Sequence, residues 1–126
     1  MSRILVIEDN PLNGRLVRDI LHHRGHEVVV TLDVAGARGE LEKARPDIVL
    51  ADLHLPDGTG HDVLAIVRAD TGLAGVPVVV LTASAMRGDR EALLAAGFDG
   101  YISKPIDTRA FGPLVEQLAA ARRTSS

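Results

Sequence analysis

Short, nearly continuous apolar runs recur along the chain, and amphipathic stretches separate them. The runs are Ile4-Leu5-Val6-Ile7, Val28-Val29-Val30, Ile48-Val49-Leu50-Ala51, Val76 to Leu81 and the shorter Gly100-Tyr101-Ile102-Ser103. A strand with one wet face alternates polar and apolar side chains. A strand apolar at successive positions is covered on both faces. Between the runs, Leu12, Leu16, Val17, Ile20 and Leu21 recur at helical spacing. So do Val34, Ala37 and Leu41, then Val63, Leu64, Ile66 and Val67, and finally Phe111, Leu114, Val115 and Leu118. Doubly covered strands that alternate with helices specify an α/β fold with a parallel sheet between two helical layers. Right-handed crossovers then leave a doubly wound five-stranded sheet in the order 2-1-3-4-5.

Local signals place the ends of these elements. Asn10-Pro11 reads as an N-cap followed by a first helical residue, and Gly25 closes that helix after His22, His23 and Arg24. Asp33 caps the second helix, and Asp57-Gly58-Thr59-Gly60 reads as a turn before the third. A fourth helix is expected from Ala85 to Ala96, closed by Gly97 and delayed at its start by Gly88. Asp107 reads as the cap of the last helix. Pro113 then either disturbs that helix or marks where its regular part begins, because proline is tolerated only in a first turn.

The chain of 126 residues suits one domain spanning 1–126. With no cysteine there is neither a disulfide framework nor a thiolate metal site. The net charge of -3 argues against nucleic-acid binding, which needs clustered Lys and Arg against phosphates. No apolar run approaches the roughly 20 residues that span a bilayer, and Glu8-Asp9 interrupts the first one before a signal segment can form. A soluble, cytoplasmic domain that binds neither nucleic acid nor membrane is the expectation.

In a doubly wound sheet, ligands sit beyond the carboxyl ends of the strands, where the strand order reverses. Those ends carry Glu8 and Asp9, Asp52, Thr82 and Lys104. Three carboxylates brought to one rim repel one another, and a hard divalent cation relieves that cost. Mg²⁺ accepts a few carboxylates and keeps several waters, so it is the expected ion. A carboxylate ringed by a cation, an ammonium and a hydroxyl is a receptor for a phosphoryl group, and a carboxylate can itself form an aspartyl phosphate.

The wording at these strand ends resembles the receiver domains of bacterial two-component response regulators. The resemblance rests on Ile4-Leu5-Val6-Ile7-Glu8-Asp9-Asn10, Asp47 to Gly58, Val78 to Ala83, and Tyr101-Ile102-Ser103-Lys104-Pro105, in that order. Asn10 to Asn13 and Thr82 to Asp89 are similar to single-domain regulators of the DivK type and to receivers of hybrid histidine kinases. The resemblance implies a flavodoxin-like, CheY-like fold with Asp52 as phosphoacceptor. It makes Asp9 a direct Mg²⁺ ligand, Glu8 a carboxylate that orients the metal's waters, and His54 a ligand through its backbone carbonyl. Thr82 and the Ala83 amide are implied donors to the phosphoryl group, Lys104 its cationic partner, and Thr82 with Tyr101 the switch pair. A histidine kinase or histidine phosphotransfer protein is the implied donor. The implied output is a downstream protein bound at the face made by the fourth helix, fifth strand and fifth helix. Such a chain is a phosphoacceptor with self-labelling and self-hydrolysis chemistry, not an enzyme.

Two other readings share parts of this pattern. A Mg²⁺-dependent phosphatase of the haloacid-dehalogenase type also has a strand-end Asp, but wants a second Asp where His54 stands. A flavin carrier needs a phosphate-cradling loop after the first strand and aromatic residues, and only Phe98, Tyr101 and Phe111 are aromatic. Lysine is scarce, Lys43 being the only other one, so Lys104 marks a place that wants a compact charge. His22, His23 and His26 lie close in sequence without a carboxylate frame and do not read as a metal site. His61 reads as a solvated residue.

Overall fold

The computed structural model describes residues 2–73, 75–83 and 87–124. Five parallel strands form one sheet: β1 (Arg3–Ile7), β2 (Glu27–Thr31), β3 (Ile48–Asp52), β4 (Val78–Thr82) and β5 (Gly100–Ser103), in the order β2-β1-β3-β4-β5. Five helices connect or follow them: α1 (Pro11–His23), α2 (Val34–Lys43), α3 (Gly60–Ala69), α4 (Arg87–Ala96) and α5 (Phe111–Thr124). This is the doubly wound order expected from the sequence.

The two-residue period of a strand divides the core. Leu5, Ile7, Val49, Ala51, Val78 and Val80 pack on one face with Ala37 and Leu41 of α2, Val63, Leu64 and Val67 of α3, and Leu93 of α4. Ile4, Val6, Ile48, Leu50, Val79, Leu81 and Ile102 pack on the other with Val17 and Leu21 of α1 and Phe111, Val115 and Ala119 of α5. All of β3 and β4 is buried. Each fully buried aliphatic side chain contributes roughly 1.5–3 kcal/mol, which explains why the central strands carry no exposed position.

Caps set where the helices begin. The Asn10 side chain accepts the amides of Leu12 and Asn13, as its place before Pro11 foretells. Thr59 and Asp62 form a reciprocal capping box at α3. Asp33 accepts from Gly36 N, and Asp57, far away in sequence, accepts from the first two amides of α2 at 2.8 and 3.0 Å. The segment read as a turn is finer than expected. His54–Leu55 and Gly58–Thr59 pair as a small antiparallel ribbon, with the turn itself at Pro56-Asp57.

Three boundaries are left open or set differently by the sequence reading. β4 begins at Val78, because the Val76 amide closes a turn onto Leu73 O at 2.9 Å and Pro77 has no amide to offer. α4 is described from Arg87, and Ala85 and Met86 lie outside the described residues. At the last helix, Thr108–Ala110 form a turn capped by Asp107, and α5 starts at Phe111. Pro113 is therefore the third helical residue and sits in the first turn. Leu114 N still bonds Ala110 O at 3.1 Å, so the proline does not break the helix.

A clasp joins the far end of the sheet to α5. His26 is buried, accepts Ser2 N at Nδ1 (3.0 Å) and holds Glu116 through Nε2 at 2.7 Å. Arg24 lies across Gly112 and makes a bidentate pair with the same carboxylate. The Arg24 guanidinium and the His26 ring together pull Glu116 down to about 2. This explains His26 as a structural histidine, and not as part of a metal site.

Gly60 meets backbone, not side chain, beside the strand ends. A Cβ there would stand 3.0 Å from the backbone oxygen of Asp52 and 3.5 Å from Leu53 Cα. Backbone cannot swing aside as a side chain can. Gly60→Ala should cost about 1–3 kcal/mol of stability by overpacking and disturb the Asp52 loop. Urea unfolding measures the first effect, and amide chemical shifts at residues 52–54 measure the second.

Candidate functional site

The parallel register decides which residues meet. Ile7 stands opposite Ala51, so Glu8, one step beyond β1, comes abreast of Asp52, the last residue of β3. Thr82 ends β4 opposite Ser103, and Lys104 follows directly, its amide bonded to Thr82 O at 2.9 Å. Glu8 N is held by Thr31 O at 2.9 Å, and Leu53 N by Leu81 O at 3.0 Å. Every residue expected at the rim is therefore fixed by strand hydrogen bonds of its own or of its immediate neighbour.

Lys104 is the hinge of the cluster. Its Nζ lies 2.7 Å from Glu8 Oε1 and 2.8 Å from Asp52 Oδ2. Asp9 completes the group: one oxygen from each of Glu8, Asp9 and Asp52 lies within 4.8 Å of the others. Glu8 is wholly buried and Asp52 nearly so, whereas Asp9 is exposed. An open cleft of about 580 Å³ lies over them, lined by Asp9, Asn10, Pro11, Asn13, Asp52, His54, Thr82, Ala83 and Lys104. The His54 backbone N–H reaches Asp52 Oδ1 only at 3.5 Å, a long contact. The Lys104–Pro105 bond is cis.

One ammonium faces two buried carboxyls, and they do not share it equally. Burial, then the close carboxyl of Asp52, push Glu8 up to about 7, against the opposing pull of Lys104. For Asp52, burial works to raise the value, but hydrogen bonds with Glu8 and Lys104 and the ammonium's charge hold it below the ordinary carboxylate range. Lys104 is raised: burial opposes its charge, and its bonds to Asp52 and Glu8 outweigh that. Of the two buried carboxyls, Asp52 thus favours the ionised form, and Glu8 holds its proton to higher pH. Glu8 Oε2 is buried with no hydrogen-bond partner among the described residues. Three carboxyls with an unsatisfied oxygen, open to solvent on one side, fit a small hard cation that retains water.

The family now follows from comparison as well as geometry. The response regulator receiver domain family matches residues 4–116. This chain belongs to that family. It is 37% identical over 108 residues to the polar-differentiation response regulator DivK of Brucella anthropi, covering 86% of this chain and 88% of that one. The receiver domain of the sensor histidine kinase PA1611 of Pseudomonas aeruginosa has a magnesium ion coordinated in its active site cleft. It superposes with a TM-score of 0.84 at 32% identity, covering 94% and 98% of the two chains. The chemotaxis regulator CheY4 of Vibrio cholerae shares the fold at a TM-score of 0.88 and 24% identity, over 94% of this chain and 98% of that one. Receiver domains act in two-component signalling with histidine kinases or phosphotransfer proteins and are not enzymes in the ordinary sense. The phosphatase reading is therefore set aside.

The structure brings Glu8, Asp9, Asp52, Thr82, Ala83 and Lys104 to one cleft, with His54 on its rim. Tyr101 lies apart from the cleft. Its half-buried ring packs on the α2–α3–α4 face of the sheet, the face that Val80 and Thr82 also share by strand alternation. His61, read as solvated, is exposed but stands edge-on to Phe98 with ring centroids 5.2 Å apart. Asn10, the cap of α1, and Asn13 also line the cleft. No helix among the described residues is long and apolar enough to cross a membrane.

The Glu8 shift has a testable sign. In the unfolded chain Glu8 ionises near 4.5, and in the folded chain near 7. The folded state keeps a proton that the unfolded state has lost across this window. Glu8 therefore costs stability increasingly from about 4.5 to about 7, and fully above that. In metal-free buffer, Glu8→Gln should be more stable than the parent at pH 8 by roughly 1–3 kcal/mol. The gap should narrow as pH falls below about 7 and close near pH 4. Urea titrations across that range measure it, and a gap independent of pH contradicts the assignment.

Proposed function

We propose that the chain, taken as one receiver domain over residues 1–126, is a cytoplasmic response regulator in which Asp52 accepts a phosphoryl group. The donor is a phosphohistidine on a histidine kinase or a histidine phosphotransfer protein. The observation that carries this reading is the pairing of an ionised Asp52 with Lys104, 2.8 Å apart, at the floor of an open cleft.

Glu8, Asp9 and Asp52, with the backbone carbonyl of His54, are the groups that would hold Mg²⁺. When bound, the ion neutralises phosphoryl oxygens as they approach a carboxylate. The chain's own residues do the rest. An Asp52 oxygen attacks phosphorus opposite the P–N bond. The O–P bond forms as P–N breaks, and the electron pair leaves on the imidazole, which takes a proton from solvent. Lys104 needs little movement to exchange a carboxylate oxygen for a phosphoryl oxygen, so charge balance is kept through the transfer. The Thr82 hydroxyl and the Ala83 N–H donate to the remaining oxygens. Thr82 moves toward them, and Tyr101 follows into the space it leaves. That motion changes the face formed by α4, β5 and α5, where a downstream protein binds. Strand alternation supports this coupling, since it sets Thr82 and Tyr101 on one face of the sheet.

Incubation with acetyl phosphate and Mg²⁺, followed by intact-mass measurement, should show one phosphoryl group per chain. Asp52→Asn should abolish the label, and a chelator should do so with Asp52 intact. A full label on Asp52→Asn contradicts the assignment.

Lys104→Arg tests the second role. The planar guanidinium keeps the charge but cannot occupy the same point between Glu8 and Asp52. The label should persist while phosphorylation-dependent binding to the downstream protein is lost. Normal binding by Lys104→Arg would reduce Lys104 to a charge without a part in the switch.

A further inference from the structure

Tyr101 is the only tyrosine of the chain, which has no tryptophan. Arg90, an exposed residue of α4, holds its guanidinium carbon 5.2 Å from the centre of the Tyr101 ring. That distance lies within the range in which a cation is attracted by the negative face of an aromatic ring. Leu93, one turn further along α4, is buried in the apolar cluster against which Tyr101 packs. Arg90 therefore extends the inward face of α4 out over the ring, and the ring is covered by a charge where it meets solvent.

We infer that Arg90 is a positioning residue for Tyr101: its guanidinium holds the ring in the half-buried resting place and so sets how readily phosphorylation turns it. The inference rests on the proposed role of Tyr101 as the switch aromatic. An attraction made in the resting place and lost when the ring turns inward weights the equilibrium toward rest. By linkage, the same attraction raises the degree of phosphorylation needed to populate the turned state. An exposed cation–π contact changes such a balance by about two- to fivefold. That is enough to set a threshold without preventing the switch. Arg90 is not among the residues that line the cleft.

The lone tyrosine gives the test its readout. In protein carrying ring-¹³C tyrosine, the Tyr101 signals are followed during titration with acetyl phosphate in Mg²⁺, and the extent of Asp52 labelling is measured by mass in the same samples. Arg90→Leu keeps an apolar cover and removes the charge, while Arg90→Lys keeps a cation. Arg90→Leu should move the resting signal toward its phosphorylated position and reach the half-way point at about two- to fivefold less phosphorylation. Arg90→Lys should follow the parent closely. A titration of Arg90→Leu that overlays the parent overturns the inference about Arg90 alone. Equal displacement by Arg90→Leu and Arg90→Lys also overturns it, because the contact would then be one of shape. A parent in which Asp52 is labelled and the ring signal stays still overturns the switch role of Tyr101 itself, and the Arg90 inference with it.

Discussion

A single ammonium between two buried carboxyls organises the strand-end cleft. Lys104 reaches Glu8 and Asp52 at 2.7 and 2.8 Å, and each of the three sits at the end of a different strand. Removing one partner of such a buried group leaves charge uncompensated, which costs far more than a surface pair returns. The arrangement also leaves the cluster one negative charge in excess when both carboxyls ionise. Burial beside Asp52 raises Glu8 to about 7 and so lessens that excess, and a divalent cation would meet it in another way. Stability and chemistry thus draw on the same three side chains. The cleft is a place where the fold accepts the cost of keeping two carboxyls buried beside one another.

The sheet makes this possible because its central strands are rigid. β3 and β4 are buried along their whole length and paired on both sides, so Asp52 and Thr82 project from fixed points. The segment that follows β3 is restrained by Thr59 and Asp62 at the start of α3, and by the backbone of Asp52 pressed close to Gly60.

The amino-acid sequence carries the sheet and most of the cleft, because both depend on short-range patterns. Continuous apolar runs reveal strands buried on two faces, and the rule that sites form beyond their carboxyl ends selects Glu8, Asp9, Asp52, Thr82 and Lys104. What was not legible depends on partners distant in sequence. Asp57 holds the start of α2 from 23 residues away, and Glu116 receives Arg24 and His26 across 92 and 90 residues. No local period announces either. Arg90 is likewise unmarked, being one of many exposed arginines until α4 is laid beside β5. Val76 misled in the opposite sense: its apolar side chain is buried as a strand residue would be, but its amide belongs to a turn.

The clasp between Glu116, Arg24, His26 and Gly112 makes four positions a unit of inheritance. Loss of Glu116 strands a buried imidazole and an arginine with no carboxylate to meet. Any side chain at position 112 displaces that arginine, and loss of His26 leaves the Ser2 amide without its acceptor. Drift at one of these positions is tolerated only when the others drift with it. Receiver sequences that have replaced the glutamate should therefore have replaced the histidine and relaxed the glycine, so covariation across helix α5 records a constraint of assembly and not one of signalling.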